Sequence, residues 1–228
     1  MLVRNWKLLD EADIPGGKDR LRLYQGKDDF FIRFNSVSGE LMSSRKYGSE
    51  QALGSLPCQR IKNRKKARVL IGGLGMGFTL AAALNELGKD AEVTVAELIP
   101  AVVEWNQGPL GERSGYPLND SRTRVYTGDV YNLLQENQRG FDVIAMDVDN
   151  GPEGLTVKDN DKLYSGAGIL LAQKALKPGG ILAYWSAGPD PAFNKRLRRC
   201  GLTVEEIPVF AHGNKGTKHT IWLASQGQ

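Results

Sequence analysis

The sequence predicts a doubly wound α/β domain preceded by a small antiparallel β-domain, and three observations support this prediction. From Arg68 onward, short apolar runs alternate with helix-length segments, which is typical of a parallel sheet covered by helices. The first of these runs ends in a glycine-rich turn, 72–77, and a helical pattern follows it. The residues before about 58 instead show short stretches in which apolar and polar side chains alternate.

The N-terminal stretches indicate a hairpin followed by a short helix. The sequences LRLYQ (21–25) and FFIRF (30–34) are predicted strands, separated by a Gly-Lys-Asp-Asp turn. A second turn at 37–40 leads to Leu41-Met42 and to a possible helix, SEQALGSL. We therefore predict an N-terminal β-domain over 1–58, serving oligomerisation or as a lid, then a basic linker over 59–67 and the main domain over 68–228.

The main domain is predicted to contain seven strands joined by helices. The strands are expected at Arg68–Ile71, Glu92–Glu97, Arg124–Tyr126, Asp142–Asp147, Gly180–Trp185, Thr203–Val209 and His219–Ala224. The helices are expected at Phe78–Leu87, Ala101–Asn106, Val130–Glu136, Gly166–Leu176 and Pro191–Cys200. Only a polar loop, HGNKG, separates the last two strands, so we expect them to form an antiparallel hairpin at the sheet edge.

Composition favours a cytoplasmic protein that neither spans a membrane nor binds a metal. The chain has 228 residues, of which 41% are hydrophobic and 25% charged. No apolar run approaches the roughly 18 residues that a transmembrane helix needs, and the first residues lack the apolar core of a signal peptide. The two cysteines, Cys58 and Cys200, lie far apart and without metal-ligand spacing, which indicates neither a disulfide framework nor a zinc site.

Two basic clusters raise the question of nucleic-acid binding. One cluster falls within 60–68 and the other within 195–199. A solvated linker and the outer face of an amphipathic helix are the preferred explanation, because no aromatic residues interleave with the clusters to stack on bases. We therefore do not expect a nucleic-acid partner, although RNA methylation stays open as a minor alternative.

The glycine-rich turn has the spacing GxGxG, with glycines at Gly73, Gly75 and Gly77. The dinucleotide fingerprint GxGxxG would require a glycine at Phe78. The observed spacing allows the backbone to approach a ligand closely but is a poorer pyrophosphate cradle. Since any tight strand-to-helix turn can contain such glycines, the acidic residues nearby must identify the ligand.

Acidic residues follow three consecutive predicted strands. Glu97 ends the second strand, where its carboxylate can accept both hydroxyls of a ribose, and Asp129 follows the third, within reach of an adenine amine. The fourth strand leads to Asp147, with Asp149 and Asn150 directly after it. A helix N-cap or a turn is the alternative role for each. Together they suit a cationic nucleoside such as S-adenosylmethionine, which predicts a Rossmann-like, seven-stranded class I methyltransferase fold.

The order of these features resembles the spermidine synthase family, the polyamine aminopropyltransferases. The shared features are the N-terminal β-domain, the glycine-rich turn, the acid after the second strand, the Gly-Asp after the third, and the segment FDVIAMDVDNGPEG. The resemblance implies that Glu97 binds the ribose, that Asp129 binds the adenine and that Asp147 lies in the transfer pocket. It also implies a homodimer assembled through the N-terminal domain.

The sequence departs from the family at positions that bear on the transferred group. The family turn GGGDGG has an aspartate that holds the donor's amine, and Gly75 replaces it here. The family's DxxD becomes Asp147-Val148-Asp149-Asn150, and its Tyr-His-Glu becomes Tyr47-Gly48-Ser49-Glu50, without the histidine. Loss of a charged hydrogen-bond partner costs ~1.5–3 kcal/mol. Gly75 therefore favours intact S-adenosylmethionine over its decarboxylated form.

The resulting hypothesis is in-line methyl transfer from S-adenosylmethionine to a small amine-bearing acceptor, without a metal. Asp147 is expected to accept the acceptor's proton, Asp149 to bind a second ammonium, and Asn150 to provide an amide contact. Tyr47 and Tyr164 are candidates for lining the acceptor pocket. Two alternatives stay open: aminopropyl transfer from decarboxylated S-adenosylmethionine, with Asp149 replacing the missing acid, and a non-catalytic nucleoside-binding sensor or scaffold.

Overall fold

The chain forms two β-sheets with helices packed around the larger one. A computed structural model describes residues 6–17, 19–36, 41–148, 161–212 and 215–227. One sheet has four antiparallel strands, in the order β1-β2-β3-β4, and the other has seven strands. This architecture confirms the predicted fold class of a seven-stranded Rossmann-like sheet behind a small N-terminal antiparallel sheet. Within the described ranges, no helix is long and apolar enough to cross a membrane.

The N-terminal sheet contains one strand that the sequence analysis did not predict. Its strands are β1 (Lys7–Asp13), β2 (Arg20–Gln25), β3 (Phe30–Phe34) and β4 (Met42–Ser43). The unpredicted strand β1 pairs antiparallel with β2 along the sheet edge. Leu23 and Ile32, which face each other across β2 and β3, are fully buried and anchor this sheet to the main core.

Helix α1 (Gly48–Arg60) connects the two sheets and runs further than the predicted SEQALGSL. It packs against helix α2 (Phe78–Glu86), the first helix of the main domain. Gly54 makes this close crossing possible, because a Cβ at Gly54 would lie 2.2 Å from the backbone oxygen of Thr79. The contact brings the first turn of α1 to the edge of the large sheet at which α2 begins. The domain limits at 58 and 68 stay a prediction.

The large sheet has the order β10-β11-β9-β8-β5-β6-β7. Its strands are β5 (Arg68–Gly72), β6 (Glu92–Glu97), β7 (Thr123–Thr127), β8 (Phe141–Met146), β9 (Leu176–Ser186), β10 (Leu202–His212) and β11 (Lys215–Gln226). Strands β5 to β9 pair in parallel, and β11 pairs antiparallel with both β9 and β10, which is the predicted terminal hairpin. Every residue of the central strand β8 is buried, as expected for a parallel strand covered on both faces.

Helices cover both faces of the large sheet. After α2 they are α3 (Pro100–Gln107), α4 (Gly111–Ser114), α5 (Val130–Glu136), α6 (Asp161–Tyr164), α7 (Gly166–Ala175) and α8 (Pro191–Arg199). The short helices α4 and α6 were not predicted. Two hydrophobic clusters fill the space between the layers, one on each face of the sheet.

Residues of both basic clusters make contacts within the fold. Arg64 forms an ion pair with Asp142 at 3.0 Å, and Arg60 contacts Glu205 at 2.5 Å. From α8, Arg196 donates to the backbone oxygen of Tyr164 at 3.0 Å. These contacts agree with the structural explanation of the two clusters, because Arg64 holds the linker against the sheet and Arg196 holds α8 against α6.

Candidate active site

A cavity of about 390 Å³ lies beyond the carboxyl ends of β5, β6 and β8. This volume falls within the range of roughly 300–1,000 Å³ that is usual for small-molecule sites. Its floor is the glycine turn, and its other walls come from the ends of the strands, from α1 and from the N-terminal sheet. The carboxyl edge of an open α/β sheet is where ligands of such folds bind, so this cavity is the candidate active site.

The glycine turn has the tightest backbone packing in the site. Gly73 has a φ of +94°, and a Cβ there would lie 2.1 Å from the backbone oxygen of Asp147. Only glycine fits, because the end of β5 passes directly against the residue that follows β8. Gly73 and Gly75 line the cavity. Gly77 instead occupies the N-cap position of α2, so it shapes the turn from outside the cavity.

The place of the family's donor-binding aspartate is covered by the N-terminal sheet. Gly75 has a φ of +53°, and a Cβ there would lie 3.3 Å from the sulfur of Met42. Met42 belongs to β4 and lines the cavity together with Leu21 and Leu41. A carboxylate side chain at Gly75 would therefore require both a strained backbone and displacement of the methionine.

Glu97 is buried against the glycine turn. Its Oε2 accepts the Leu74 N–H at 2.9 Å, and its Oε1 accepts the Ile99 N–H at 2.9 Å. Burial raises the pKa of Glu97 above its ordinary value, and the backbone hydrogen bonds oppose that rise. Glu97 also lines the cavity, where its carboxylate oxygens can accept hydrogen bonds from hydroxyls of a ligand.

Asp129 caps a helix and also lies at the cavity. It is the N-cap of α5, where its Oδ1 accepts the Tyr131 N–H at 2.8 Å. Its Oδ2 forms an ion pair with Lys162 at 2.8 Å, and the residue also lines the cavity. The helix-capping contact fixes the carboxylate at the end of β7, at the edge of the cavity, so capping and ligand binding do not exclude each other.

Asp147 is a partly buried carboxylate at the centre of the site. Its Oδ2 lies 2.6 Å from the hydroxyl oxygen of Thr79, at the start of α2. Burial is the main reason why its pKa rises to about 6, and the charge of Glu97 adds to the rise, while the Thr79 hydrogen bond opposes it. A carboxyl group in this range can exchange a proton near neutral pH.

Glu50 completes the anionic part of the cavity, and the sequence analysis did not select it as a site residue. It comes from the first turn of α1, and burial, together with the charge of Asp147, raises its pKa to about 7. Its Oε2 accepts a hydrogen bond from the Ser49 hydroxyl at 2.8 Å, and Ser49 contacts His219 Nδ1 at 2.8 Å. The sequence signal that could have identified Glu50 as a site residue is its position in the Tyr-Gly-Ser-Glu motif.

The two candidate tyrosines lie outside this cavity. Tyr47 stacks on Phe78, with the ring centroids 4.6 Å apart, and faces a smaller neighbouring cleft. Tyr164 is buried in the second hydrophobic cluster, and its hydroxyl donates to the Val148 backbone oxygen at 2.7 Å. Tyr164 therefore packs in the core, whereas Tyr47 packs on Phe78 at the surface and stays 38% exposed. Asp149 and Asn150 lie outside the described residues.

Three further cavity residues were not predicted from the sequence. They are Lys46, which precedes α1, Trp185 near the end of β9, and His219 in β11. The Trp185 and His219 rings meet edge to face, with centroids 4.9 Å apart. Both rings contribute to the lining of the cavity.

The sequence of this chain matches a family of known proteins. Residues 47–196 match the family model described as the spermine/spermidine synthase domain. Polyamine aminopropyltransferases of Mycobacterium tuberculosis and Mycobacterium bovis are 30% identical to this chain over 124 residues, which are 53% of this chain and 23% of each relative. The chain thus matches about a quarter of the length of these curated relatives.

Solved structures show the same fold at lower sequence identity. The spermidine synthase from Thermotoga maritima superposes with a TM-score of 0.73 at 16% identity, covering 97% of this chain and 73% of that one. A spermidine synthase in complex with the transition state analogue AdoDATO gives the same values. The matched domain begins at the Tyr-Gly-Ser-Glu motif and includes the glycine turn and all three predicted acids. The chain belongs to the spermine/spermidine synthase family.

Proposed function

We propose that this protein is an aminopropyltransferase that moves the aminopropyl group of decarboxylated S-adenosylmethionine to a small amine. The observation that carries the proposal is the convergence of Glu50, Asp147 and Glu97 on one cavity. Such a cavity attracts a sulfonium and an ammonium, and it repels a carboxylate. Intact S-adenosylmethionine has a carboxylate that its decarboxylated form lacks. The cavity therefore favours the decarboxylated donor, whereas Gly75 taken alone favours the intact donor and methyl transfer.

Glu50 offsets the loss of the family's aspartate at Gly75. The donor's primary ammonium needs a carboxylate partner, and the sequence analysis expected Asp149 to replace the missing acid if aminopropyl was transferred. Glu50 already lines the cavity, and its charge couples to that of Asp147. We assign the ammonium groups of donor and acceptor to this pair. We assign the nucleoside to Glu97 and Asp129, with the backbone of Gly73 and Gly75 beside the sulfonium.

The proposed chemistry is an in-line displacement. The neutral amine of the acceptor attacks the donor carbon attached to sulfur, so a C–N bond forms while the C–S bond breaks and sulfur leaves as a neutral thioether. The donor is already activated, so the protein contributes alignment and a base for one proton of the acceptor. Asp147, with its pKa of about 6, suits that base because it is largely ionised at neutral pH and still basic enough to take a proton.

Calorimetric titration with the two donors tests the proposal. We expect the decarboxylated donor to bind at least tenfold more tightly than the intact one, a difference of ~1.4 kcal/mol. The titrations use the Asp147→Asn variant in parallel with the wild type, so that turnover does not distort the binding heat. Mass spectrometry of a panel of diamines and polyamines then identifies the group transferred. Preference for the intact donor, with methylated products, would contradict the proposal.

Methyl transfer is the second candidate, and two observations favour it. Gly75 brings no carboxylate to the place where the family binds the donor's amine. Lys46 lines the same cavity and carries the charge that a donor carboxylate would need. The same titration distinguishes the two candidates. Tight binding of either donor without any product from the amine panel would indicate the third possibility, a nucleoside-binding sensor.

We also propose that the protein forms a homodimer through the N-terminal sheet. Strand β1 is at the edge of that sheet, and its Leu8 side chain is exposed. An unprotected edge strand is a natural site for pairing with a second chain. Light scattering of the purified protein gives its mass in solution, and a Leu8→Lys variant should shift it toward the monomer. A monomeric wild-type protein would contradict this arrangement.

A further inference from the structure

A chain of hydrogen bonds connects Glu50 with a histidine on a distant strand. Ser49 Oγ lies 2.8 Å from Glu50 Oε2 on one side and 2.8 Å from His219 Nδ1 on the other. Ser49 is fully buried, whereas Glu50 and His219 both line the cavity. The connection therefore runs inside the protein, behind the cavity wall, from α1 to β11. A ligand that fills the cavity and displaces its water leaves this connection intact.

The packing around these residues fixes the geometry. A Cβ at Gly48 would lie 2.7 Å from the Phe210 backbone oxygen, so the start of α1 lies directly against the β10–β11 hairpin. The Trp185 ring supports the His219 imidazole from β9. The serine hydroxyl has one proton and two lone pairs, and the imidazole has one basic nitrogen, so the three groups can pass a proton along by switching donors and acceptors.

We propose that Ser49 and His219 form a proton relay that carries the proton released by the acceptor amine from Glu50 to solvent. The relay rests on the proposed function only in requiring an amine acceptor, since methyl and aminopropyl transfer both release one proton. His219 lies outside residues 47–196, the part of the chain that matches the family model. The inference therefore concerns a residue to which the family match assigns no role.

The proton balance of the relay is complete without another reactant. The acceptor's N–H bond breaks and an O–H bond forms on Asp147, the proposed base. That proton then moves to the Glu50 carboxylate, whose charge couples to that of Asp147. Glu50 then donates to the Ser49 oxygen while the Ser49 hydroxyl proton moves to His219 Nδ1, which produces an imidazolium. The imidazolium releases its Nε2 proton to water at the open side of the cavity, and His219 is only partly buried there. The Ser49 hydroxyl proton then lies toward Glu50 again, and proton exchange with water that returns the imidazole proton from Nδ1 to Nε2 restores the starting state.

The groups that face His219 favour its neutral form between turnovers. Burial lowers the pKa of His219, and the positive charge of Lys46 lowers it further. From α1 it faces Ser49 and, through Ser49, Glu50; from β9 it faces the uncharged Trp185, and in β10 its partner in register is Val209. The neutral imidazole has a free nitrogen for the incoming proton, and its lowered pKa makes it release that proton readily to water.

The chain offers a matched control, because it contains only two histidines. An asparagine at position 219 keeps a hydrogen-bonding group close to the place of Nδ1 but cannot carry a proton. We expect His219→Asn and Ser49→Ala each to lower the single-turnover rate with bound donor at least tenfold, while leaving the donor Kd within twofold of wild type. His212→Asn, at the exposed end of β10, should leave both quantities unchanged.

Two readouts separate a relay from a purely structural role. In a relay, the double variant loses no more activity than the worse single variant, because either substitution breaks the same path. The rate of the wild type should also depend on pH through a group that His219→Asn removes. A wild-type rate for His219→Asn at every pH, or effects that multiply in the double variant, would overturn the relay.

The outcome for the relay is distinguishable from the outcome for the proposed function. If the wild type transfers methyl from the intact donor, the aminopropyl proposal fails, and the same four variants test the relay with that donor. If the wild type transfers aminopropyl and His219→Asn has the wild-type rate, the relay alone fails. A protein that transfers neither group to any amine of the panel overturns both.

Discussion

The two ends of strand β8 carry aspartates in opposite electrostatic surroundings. Asp142 lies near the start of the strand, where Lys177 contacts it at 2.7 Å and Arg64 at 3.0 Å. The Arg68 N–H adds a third hydrogen bond at 2.8 Å. Asp147 follows the end of the same strand, where its charge couples to those of the carboxylates Glu97 and Glu50.

The pKa values of the two residues move in opposite directions for this reason. Burial would raise the pKa of Asp142, but the contacts with Lys177, Arg68 and Arg64 outweigh burial and hold it below its ordinary value. At Asp147, burial and a like charge act together, and the pKa rises to about 6. At the amino end of the strand, Lys177 of β9 and Arg64 of the linker thus neutralise the charge of Asp142. The carboxyl end keeps an excess of negative charge, which a cationic ligand can neutralise.

Replacing each aspartate by asparagine is the most direct test of whether the two ends of the strand have different roles. Asp147→Asn should lower turnover by about 10²–10⁴-fold, because it removes the proposed base, and it should leave donor affinity nearly unchanged. Asp142→Asn should keep wild-type turnover below its unfolding temperature. Steady-state kinetics and donor titration on both variants provide the test. Equal activity of the two variants would show that the carboxyl end of β8 has no special role.

The Gly73→Ala variant tests whether the glycine turn positions Asp147. The new methyl group would overlap the Asp147 backbone oxygen at a positive φ, so we expect a loss of about 3 kcal/mol in the free energy of unfolding, together with lost activity. Gly115→Ala is the matched control. Gly115 has a φ of +77° but open space around it. Its replacement by alanine should therefore cost only the strain of the left-handed backbone, about 1–2 kcal/mol. Chemical denaturation measures both, and equal losses would argue against the close contact.

The amino end of β8 should determine stability instead of activity. Asp142→Asn leaves Lys177 and Arg64 without their carboxylate, and their side chains are 31% and 36% exposed, which softens the loss. We expect it to cost about 2 kcal/mol in the free energy of unfolding, most of it from the poorly satisfied groups left behind. Denaturant unfolding at pH 7 measures this. A neutral substitution would mean that Arg64 and Lys177 do not fix the linker and β9 through Asp142.

Parts of the fold with a strong local pattern could be predicted from the sequence. Strands Phe30–Phe34 and Glu92–Glu97 and helix Val130–Glu136 were predicted with the bounds that the structure shows. Their apolar periodicity and the turns that bound them decide their structure locally. Strand β1 was missed, because its sequence KLLDEAD is rich in charged residues, and it forms a strand only through its partner β2.

In the candidate site too, some residues could be predicted from local sequence, whereas others depend on contacts between distant parts of the chain. Glu97, Asp129 and Asp147 could be predicted to lie together, because the carboxyl ends of parallel strands meet at one edge of the sheet. Glu50 and His219 could not, since the packing of α1 on α2 and on the terminal hairpin brings them there. The aromatic candidates Tyr47 and Tyr164 pack against other rings instead, because contact between aromatic rings stabilises the protein wherever a partner ring is available.

The smallest expected effect is a pH dependence of stability that differs between the two ends of the strand. The pKa of Glu50 is about 7 in the folded protein and near its ordinary value of 4.5 in the unfolded chain. Between these values the folded state binds more protons, so the free energy of unfolding falls as the pH rises from about 4.5 to 7. A shift of this size corresponds to roughly 3.5 kcal/mol at about 1.4 kcal/mol for each pKa unit. Glu50 is partly exposed, so we expect solvent screening to reduce its contribution to about 1 kcal/mol.

Glu50→Gln should therefore flatten the pH profile of stability over this range. Asp142→Asn should lower the whole profile without changing its slope there, because a lowered pKa affects stability only as the pH falls below the ordinary aspartate value. Urea unfolding of the wild type and both variants at several pH values measures the slopes. A wild-type slope in Glu50→Gln would show that Glu50 titrates in the folded protein as it does in the unfolded chain. The carboxyl end of the strand would then lose the main electrostatic argument for binding two ammonium groups.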